Sequence, residues 1–390
     1  MKIISVVGAR PNFVKIAPFI KAIILYNSNL KSKKEFELID HVLVHTGQHY
    51  DERMNDSFFK NLGISRPDIN LGVGSGTHAE QVGNTMIEFE KVLKLEKPDW
   101  VVLVGDVNAT LACSITAKKE NIKCCHIEAG LRSGDMTMPE EINRLVTDRL
   151  SDLLLAPDRL SVDNLYKEGN DKNQVRFVGN IMIDSLDDNI TKAGKIKIQD
   201  IFNENNLIPD QEFDLSIFDL DDFGLLTMHR PSNVDNKEKL CSLVPFITNE
   251  LAIKMKIIWP LHPRTMKQLK FFGLWDQVIR SKNILVLNPI NYLEMLRLNL
   301  GAKIVLTDSG GIQEECCITG TPCITLRKNT ERPITLVANG GVSVLVGNDI
   351  EKIRKEFDLA MEKRKSPFRP ELWDGKTAAR CLKEIVNYNK

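Results

Sequence analysis

The sequence predicts an α/β protein made of two doubly wound, Rossmann-like domains. Its 390 residues suit two domains better than one. Short, uninterrupted apolar runs alternate with helical patterns, as in parallel sheets that are covered by helices on both faces. The alternation stops in a polar, acidic stretch at 187–222 and then resumes. We therefore place the domains at 1–180 and 181–367.

The apolar runs of each half are the predicted strands. In the first half they lie at 3–8, 41–47, 100–106, 124–130, 153–157 and 175–180, between helical patterns at 12–25, 52–61, 78–95 and 107–119. In the second half they lie at 223–229, 256–262, 283–288, 303–308, 323–326 and 342–347. Ligands of such sheets bind at the carboxyl ends of the strands, so the residues that follow each run are the candidate site residues.

Composition excludes several classes of partner. Lysine plus arginine is 52 and aspartate plus glutamate is 52, so the net charge is zero, which argues against electrostatic binding to nucleic acid or to an anionic membrane. No apolar run approaches a membrane span, and the apolar run at the N-terminus is too short for a signal peptide. The eight cysteines contain no CxxC pair and are typical of small buried residues in a reducing cytosol. We expect a cytoplasmic protein with no metal site.

The turn after the first strand reads GARPNFVK, residues 8–15. It lacks the second and third glycines of the GxGxxG fingerprint, which argues against a dinucleotide cofactor. Arg10 and Lys15 instead place two cations beside a helix start that Asn12 could cap, and such a start can neutralise a diphosphate. A solvated basic turn without a ligand is an equally good interpretation.

Three acidic residues lie near neighbouring strand ends in the first half. Asp106 ends one run, Glu128 lies in CCHIEAG, and Glu140 begins a predicted helix together with Glu141. Carboxylates that cluster in this way indicate acid–base chemistry. Asp106 also suits a helix N-cap, and glutamates are common in a first helical turn because of the helix dipole. Glu128 is the hardest of the three to explain structurally.

The second half opens with a strand followed directly by His229 and Arg230 in LLTMHRPSN. A lone histidine is more often structural than catalytic. Its position at the end of the first strand of the second domain nevertheless favours a functional role.

The segment TDSGGIQEE, residues 307–315, gives the clearest signal. Ser309 could cap the helix that follows, as could the preceding aspartate, and Gly310 and Gly311 would let an anion approach the first N–H groups. Glu315, one turn further along, could accept the two hydroxyls of a ribose. Arg332 in LRKNTERP could add positive charge. A tight turn without a ligand would explain the glycines but not the combination.

Taken in order, the motifs resemble those of the non-hydrolysing UDP-N-acetylglucosamine 2-epimerases over essentially the whole chain. They are GARPN, HTGQHYD, GDVN, HIEAGLRSGDMTMPEEINR, GNIMIDSL, MHRPSN, TDSGGIQEE and ERP. The resemblance implies a fold similar to that of GT-B glycosyltransferases, with two Rossmann-like domains facing a cleft. It also implies a homodimer, and a C-terminal helix, within 368–390, that packs on the first domain.

The same resemblance implies roles for individual residues. The residues expected to bind UDP are Arg10, Lys15, Ser309, Gly310, Gly311, Glu315 and Arg332. The expected catalytic set is Asp106, Glu128, Glu140 and His229. Many relatives read HRREN where this chain reads HRPSN, and carry a glutamine where this chain has Asp51.

The expected reaction is the reversible conversion of UDP-GlcNAc to UDP-ManNAc without a cofactor. Inverting the second sugar carbon means breaking a C–H bond that no carbonyl activates. Without a dinucleotide fingerprint the available route is elimination of UDP to 2-acetamidoglucal, followed by re-addition. Two demands follow, namely stabilisation of the departing diphosphate and proton transfer on both faces of the sugar, which explains why several carboxylates are present.

Three other functions remain open at this point. A hydrolysing epimerase would release free ManNAc, a GT-B glycosyltransferase would need an acceptor, and a nucleotide-sugar sensor would not need the acids for anything but affinity. A related UDP-2-acetamido sugar could also replace UDP-GlcNAc as the substrate.

Overall fold

The computed structural model describes residues 1–32, 38–47, 59, 62–208, 222–363 and 365–388. The chain divides into two compact units. Unit 1 comprises Met1–Ser185 with Pro370–Lys390, and unit 2 comprises Leu186–Arg369. Most of the helical pattern at 52–61, and the part of the HTGQHYD motif that contains Asp51, lie outside the described residues.

Unit 1 is built on a parallel sheet in the order β3-β2-β1-β4-β5-β6-β7. Its strands are β1 Lys2–Val7, β2 Asp40–His45, β3 Ile69–Asn70, β4 Trp100–Val104, β5 Lys123–Ile127, β6 Leu153–Ala156 and β7 Val175–Phe177. Strand order reverses between β1 and β4, and this switch point is where ligands of doubly wound sheets bind.

Helices connect the strands of unit 1. They are α1 Arg10–Ser32, α2 His78–Glu96, α3 Asn108–Lys119, α4 Pro139–Leu150, α5 Arg159–Lys167, and α6 Ile181–Gly194, which continues into unit 2. The last helix of the chain, α16 Thr377–Asn387, also packs on unit 1. There the carboxylate of Asp184 accepts the N–H groups of Thr377 and Ala378 at 3.0 and 2.7 Å, and the buried indole of Trp373 donates to the carbonyl of Pro157 at 3.0 Å.

Unit 2 repeats the plan with a parallel sheet in the order β10-β9-β8-β11-β12-β13. Its strands are β8 Gly224–Thr227, β9 Ile257–Pro260, β10 Ile284–Leu287, β11 Ile304–Thr307, β12 Cys323–Thr325 and β13 Ser343–Leu345. The switch point lies between β8 and β11, which corresponds to the position between β1 and β4 in unit 1.

The helices of unit 2 cover both faces of this sheet. They are α7 Ile198–Asn205, α8 Pro231–Val234, α9 Lys237–Phe246, α10 Ala252–Lys254, α11 Pro263–Phe271, α12 Trp275–Ile279, α13 Tyr292–Gly301, α14 Gly310–Thr319 and α15 Ile350–Glu362. A π-helical turn, Ile247–Leu251, joins α9 to α10. Two 3₁₀ turns, Pro333–Thr335 and Val337–Asn339, follow β12.

Alternating side chains along each unit 2 strand enter different hydrophobic cores. Leu226 of β8 and Trp259 of β9 lie in one buried cluster, whereas Leu225 and Ile258 lie in another. A sheet covered on both faces buries both sets, which is why its strands are continuous apolar runs. The predicted fold class, α/β with two doubly wound sheets, is confirmed.

Every predicted strand is present, but one further strand, β3 Ile69–Asn70, was not predicted. This edge strand has two residues and lacks the apolar run that identifies the others. In the described ranges, no helix is long and apolar enough to cross a membrane.

Candidate functional site

The first set of candidate residues surrounds the switch point of unit 1. Strand β1 leads into the turn before α1, and β4 leads into Gly105 and Asp106. Because β1 and β4 are paired neighbours, their carboxyl ends lie side by side. The fold therefore brings the GARPN turn and the GDVN turn to the same edge of the sheet.

Asn12 holds these two turns together. Its Oδ1 accepts the N–H groups of Gly8 and Ala9 at 3.3 and 3.0 Å, and its Nδ2 donates to the carbonyl of Val104 at 3.0 Å. The prediction that Asn12 caps α1 is therefore wrong, because the helix already begins at Arg10 and the Asn12 side chain reaches back to the preceding turn.

Lys15 and Glu128 form a buried ion pair. Their Nζ and Oε2 atoms are 2.5 Å apart, and the two side chains are 11% and 2% exposed. Gly105 has a φ of +73° and lies under this pair, where a Cβ would come within 3.5 Å of the Lys15 Nζ. That distance is an ordinary contact, whereas the same Cβ would lie 3.1 Å from Nδ2 of Asn12, so a residue larger than glycine would press on Asn12.

Glu128 itself has a φ of +74°, the left-handed region that L-residues other than glycine rarely adopt. Such a conformation costs roughly 1–2 kcal/mol, and strain of this kind is concentrated at functional sites. It is fixed by the N–H groups of Glu128 and Ala129, both of which donate to the carbonyl of Leu155. Backbone contacts from β6 thus turn the carboxylate towards Lys15.

Asp106 is not the N-cap that the sequence allowed. Val107 occupies that position without a side-chain cap, and the carboxylate of Asp106 instead accepts from Nη1 of Arg144 at 2.5 Å. Asn143 adds a hydrogen bond to the Asp106 carbonyl at 2.8 Å. Helix α4 therefore positions Asp106, and this contact was not predicted from the sequence.

The adjacent glutamates of the PEE sequence have different environments. Glu141 is buried and accepts the N–H groups of Ser133 and Gly134 and the guanidinium of Arg144. Burial opposes its ionisation, but these donors outweigh burial and lower the pKa of Glu141. Glu140 is half-buried, and no hydrogen bond or ion pair joins it to another residue of the described ranges. Glu141 is structural, and Glu140 is the one available to a ligand.

A buried His126–Asp148 pair contacts the backbone of Gly105, next to Asp106. The ring of His126 contacts the Asp148 carboxylate at 2.5 Å through Nδ1 and the Gly105 carbonyl at 2.8 Å through Nε2. Asp148 also accepts from the N–H of Gly130 and from Arg132. Burial opposes ionisation, but His126 and Arg132 outweigh it and lower the pKa of Asp148. Both members were missed, because the pair joins β5 to α4.

The second set of candidate residues surrounds the switch point of unit 2. The buried carboxylate of Asp308, which follows β11, accepts the backbone N–H groups of His229 and Arg230 and contacts Nδ1 of His229 at 2.9 Å. Asn233 donates to it as well, at 3.1 Å. Burial opposes ionisation, but His229 and the backbone donors outweigh it and lower the pKa of Asp308. Asp308 therefore joins MHRPSN to TDSGG and does not cap α14.

The start of α14 has no side-chain cap. Ser309 is the N-cap residue, but its side chain accepts no hydrogen bond from the first turn, so the predicted Ser309 cap is also wrong. A Cβ on Gly310 would lie 2.6 Å from Arg332 and Glu331, whereas a Cβ on Gly311 would meet no atom of the described residues within 4 Å. Arg332 and Glu331 therefore exclude a side chain at position 310. At Gly311 the space beside the helix N-terminus, which carries a partial positive charge, is open.

Three arginines gather beside this helix end around Glu331. The Glu331 carboxylate contacts Arg327 at 2.6 Å, Arg332 at 2.5 Å and Arg230 at 3.7 Å, and Arg332 also contacts Glu314 at 2.7 Å. Burial opposes ionisation, but Arg332, Arg327 and Arg230 lower the pKa of Glu331 well below its usual range. Three guanidiniums against two carboxylates leave a net positive charge. Arg332 is thus held in place by Glu331, which was not among the predicted site residues.

Glu315 lies on α14 and is buried towards α13. Burial and the charge of Glu314 raise its pKa to about 7, against hydrogen bonds from Asn299 and Tyr292. A buried carboxyl that stays partly protonated near neutral pH is unusual, and such groups are frequent at binding sites.

Unit 1 thus brings Lys15 together with Glu128, and unit 2 brings His229 together with the start of α14. Among the described residues, no hydrogen bond joins Glu140 to Asp106 or Glu128. No group of three or more histidine, cysteine, aspartate or glutamate side chains in the described ranges is placed to hold a metal ion.

Comparisons with known proteins agree with this arrangement. The model of the UDP-N-acetylglucosamine 2-epimerase family matches residues 30–386. The UDP-N-acetylglucosamine 2-epimerase of Methanocaldococcus jannaschii is 43% identical, with all of both chains covered. The UDP-2,3-diacetamido-2,3-dideoxy-D-glucuronate 2-epimerase of Pseudomonas aeruginosa is 39% identical, covering 89% of this chain and 88% of that one.

The fold is also similar to a crystal structure of the M. jannaschii UDP-GlcNAc 2-epimerase in complex with UDP-GlcNAc and UDP. That structure has a TM-score of 0.86 and 41% sequence identity, with 99% of each chain covered.

Proposed function

The chain belongs to the UDP-N-acetylglucosamine 2-epimerase family, and from this premise we propose that it interconverts UDP-GlcNAc and UDP-ManNAc without hydrolysing them. The observation that carries the proposal is the pairing of Lys15 with the strained, buried Glu128 at one switch point. A carboxylate suited to abstracting a proton lies there beside a cation suited to a phosphate.

In the proposed reaction the bond between the anomeric carbon and UDP breaks, and its electron pair leaves on the diphosphate. The proton on the second carbon passes to a carboxylate, and the electrons of that C–H bond form the double bond of 2-acetamidoglucal. Re-addition of UDP with protonation from the other face gives the epimer. Atoms and electrons balance, so no oxidant or reductant is consumed.

Asp106, Glu128 and Glu140 are the proposed proton donors and acceptors. Inversion needs proton transfer on two faces of the sugar, so a single carboxylate is not sufficient. Arg144 keeps Asp106 in place, and Lys15 does the same for Glu128. Glu140 has no partner among the described residues and is open to the sugar.

The proposed UDP ligands are Arg10, Lys15, Ser309, Gly310, Gly311, Glu315 and Arg332, with His229 at the departing diphosphate. The uncapped start of α14 and the net positive arginine cluster support this assignment. A charge pair about 4 Å apart at an effective permittivity near 20 contributes about 4 kcal/mol, so a few such contacts stabilise a leaving diphosphate substantially. We propose no redox cofactor, because the GARPN turn lacks the glycines of a dinucleotide fingerprint.

The test is proton NMR of UDP-GlcNAc incubated with the purified protein in heavy water. Appearance of the UDP-ManNAc anomeric signal, with deuterium at the second carbon of the product, would support the proposal. Free ManNAc as the main product would favour the hydrolysing reaction instead. Product without deuterium would exclude the glycal route, and UDP release only with an added acceptor would indicate a glycosyltransferase.

A second candidate substrate is a UDP-2,3-diacetamido-2,3-dideoxy-glucuronate, because a relative at 39% identity is named for that sugar. Comparing kcat/KM for the two UDP-sugars distinguishes the candidates. A preference of tenfold or more for the glucuronate would move the assignment to that substrate.

We also propose a cytoplasmic homodimer that supplies ManNAc-type sugars for polysaccharide or glycoconjugate synthesis, with domains at 1–180 plus 368–390 and at 181–367. Apolar exposure on unit 1 supports the homodimer, since Ile87 is 56%, Met136 60% and Ile142 44% exposed. Light scattering would test it, and a monomeric wild type would contradict it.

A further inference from the structure

The inference concerns how His229 is held, and it rests on the proposed function. Asp308 is fully buried, and it binds His229 twice, once through the backbone N–H and once through Nδ1 of the ring. Two attachments fix both the main chain and the ring of one residue. If Asp308 served only to cap a helix, neither of these contacts with His229 would be needed.

The hydrogen-bond chemistry decides which ring nitrogen carries a proton. The pKa of Asp308 is lowered by His229 and the backbone donors against the effect of burial, so the carboxylate is ionised and can only accept. The Nδ1 atom of His229 must therefore donate. A neutral imidazole held in this way has its second nitrogen, Nε2, unprotonated and able to take up a proton.

The surroundings leave Nε2 available. The His229 side chain is 38% exposed, and Nε2 lies on the opposite side of the ring from Asp308. Its ring neighbour is His262, at 5.5 Å between centroids, and Arg230 follows it in the chain. No hydrogen bond occupies Nε2 within the described part of the chain.

Asp308 also links this histidine to the proposed diphosphate site. It immediately precedes Ser309, so the carboxylate that holds His229 is one residue from the uncapped start of α14. We infer that Asp308 is a positioning residue that fixes the His229 imidazole with a proton on Nδ1. The free Nε2 of the exposed ring can then take up a second proton from solvent, and the resulting imidazolium donates a hydrogen bond from Nε2 to the departing diphosphate oxygen. No covalent bond to the protein forms in this step.

His262 is a useful comparison for the NMR measurement, because its Nδ1 accepts a hydrogen bond where that of His229 donates one. Its Nδ1 accepts the N–H of Arg264 at 3.2 Å and so caps α11. In that arrangement Nδ1 is unprotonated and the ring proton is on Nε2. The two neighbouring histidines should therefore differ in tautomer.

The experiment is long-range proton–nitrogen NMR of the protein labelled with [¹⁵N]histidine, with His229→Asn to assign the His229 signals. We expect a proton on Nδ1 of His229 and on Nε2 of His262. Asp308→Asn should move the His229 proton to Nε2 and lower kcat by roughly 10²- to 10⁴-fold, since loss of an aspartate that orients a histidine has this effect elsewhere. UDP affinity, measured by calorimetry, should change much less than kcat.

Asp349→Asn is the matched control, because the same change is made at a carboxylate that only caps α15 in the same unit. It should leave kcat and both tautomers unchanged. If Asp308→Asn does not fold, the wild-type spectrum decides alone.

A wild-type His229 protonated only on Nε2 would overturn the inference even in an active epimerase, as would an Asp308→Asn protein with normal turnover. If the wild-type protein has a proton on Nδ1 of His229 but no epimerase activity, the proposed function is wrong. The contact between Asp308 and His229 is still supported in that case.

Discussion

Lys15 of α1 and Glu128 after β5 are 113 residues apart in the chain, yet their charged atoms lie 2.5 Å apart. The first residue is proposed to meet a phosphate and the second to move a proton. Their contact therefore joins the two demands of the proposed reaction in one ion pair.

Glu128→Gln keeps the size of the side chain and removes its charge. Turnover should fall by about 10²- to 10⁴-fold, because the proposed base is lost, while UDP affinity should be largely kept. Steady-state kinetics and calorimetry with UDP measure the two effects. Glu371→Gln, which changes an exposed glutamate paired with Arg159, is the control and should behave as wild type. Normal turnover in Glu128→Gln would remove this residue from the catalytic set.

Glu140→Gln and Glu141→Gln should have different effects although the residues are adjacent, the first on turnover and the second on stability. Glu140→Gln should lower turnover and leave stability unchanged. Glu141→Gln removes the more buried of the two carboxylates that pair with Arg144, and because breaking a buried pair costs up to about 3–5 kcal/mol, this variant should be clearly less stable. Chemical denaturation and kinetics on both variants test the contrast. Equal stability of the two variants would contradict it.

Gly310→Ala and Gly311→Ala form a second matched pair. At Gly310 the added methyl would lie 2.6 Å from Arg332 and Glu331, so this variant should lose both stability and UDP affinity. At Gly311 the methyl meets no atom within 4 Å in the part of the chain that the structure describes, so stability should be kept or rise by up to about 1 kcal/mol through better helix propensity. UDP affinity should still fall, because the methyl occupies the space above the helix start. Undiminished UDP affinity in Gly311→Ala would place the diphosphate elsewhere.

Glu315 should make the free enzyme less stable as pH rises. Its pKa is raised from the usual 4.5 to about 7 by burial and by the charge of Glu314. Between these values the folded protein binds more protons than the unfolded chain, so its contribution is fully present below pH 4.5 and is lost as pH rises through 7. The shift corresponds to at most about 3 kcal/mol. Denaturation at pH 5, 6, 7 and 8 should show this decline in wild type and a weaker one in Glu315→Gln. Parallel profiles would show that Glu315 titrates normally.

Most of the fold could be predicted because its strands are buried on both faces. Such strands are uninterrupted apolar runs, and those of β4 and β11 are unambiguous in the sequence. Strand β3 could not be predicted, since two residues at a sheet edge carry no periodicity. Side chains that follow strands, such as Asp106 and His229, could be singled out because parallel strands end at the same edge.

The partners of these side chains could not be predicted. Whether Asp106 caps a helix or binds Arg144 depends on where α4 packs, and local spacing does not encode that. Asp308 and Ser309 looked like caps because their types favour that role, but a long-range contact with His229 competes successfully for the Asp308 carboxylate. Glu331 lies in the ERP motif, but its role could not be predicted, because it depends on three arginines that the fold brings to it.

The return of residues 370–388 to unit 1 has a consequence for biosynthesis. Unit 2 is one uninterrupted stretch, Leu186–Arg369, whereas unit 1 is completed by the segment that carries Trp373 and α16. A nascent chain on the ribosome therefore holds the whole of unit 2 before it holds the last piece of unit 1. The carboxylate of Asp184 meets its N–H partners, Thr377 and Ala378, only after the whole of unit 2 has been synthesised. Completion of the unit that contains Lys15 and Glu128 therefore follows synthesis of all of unit 2.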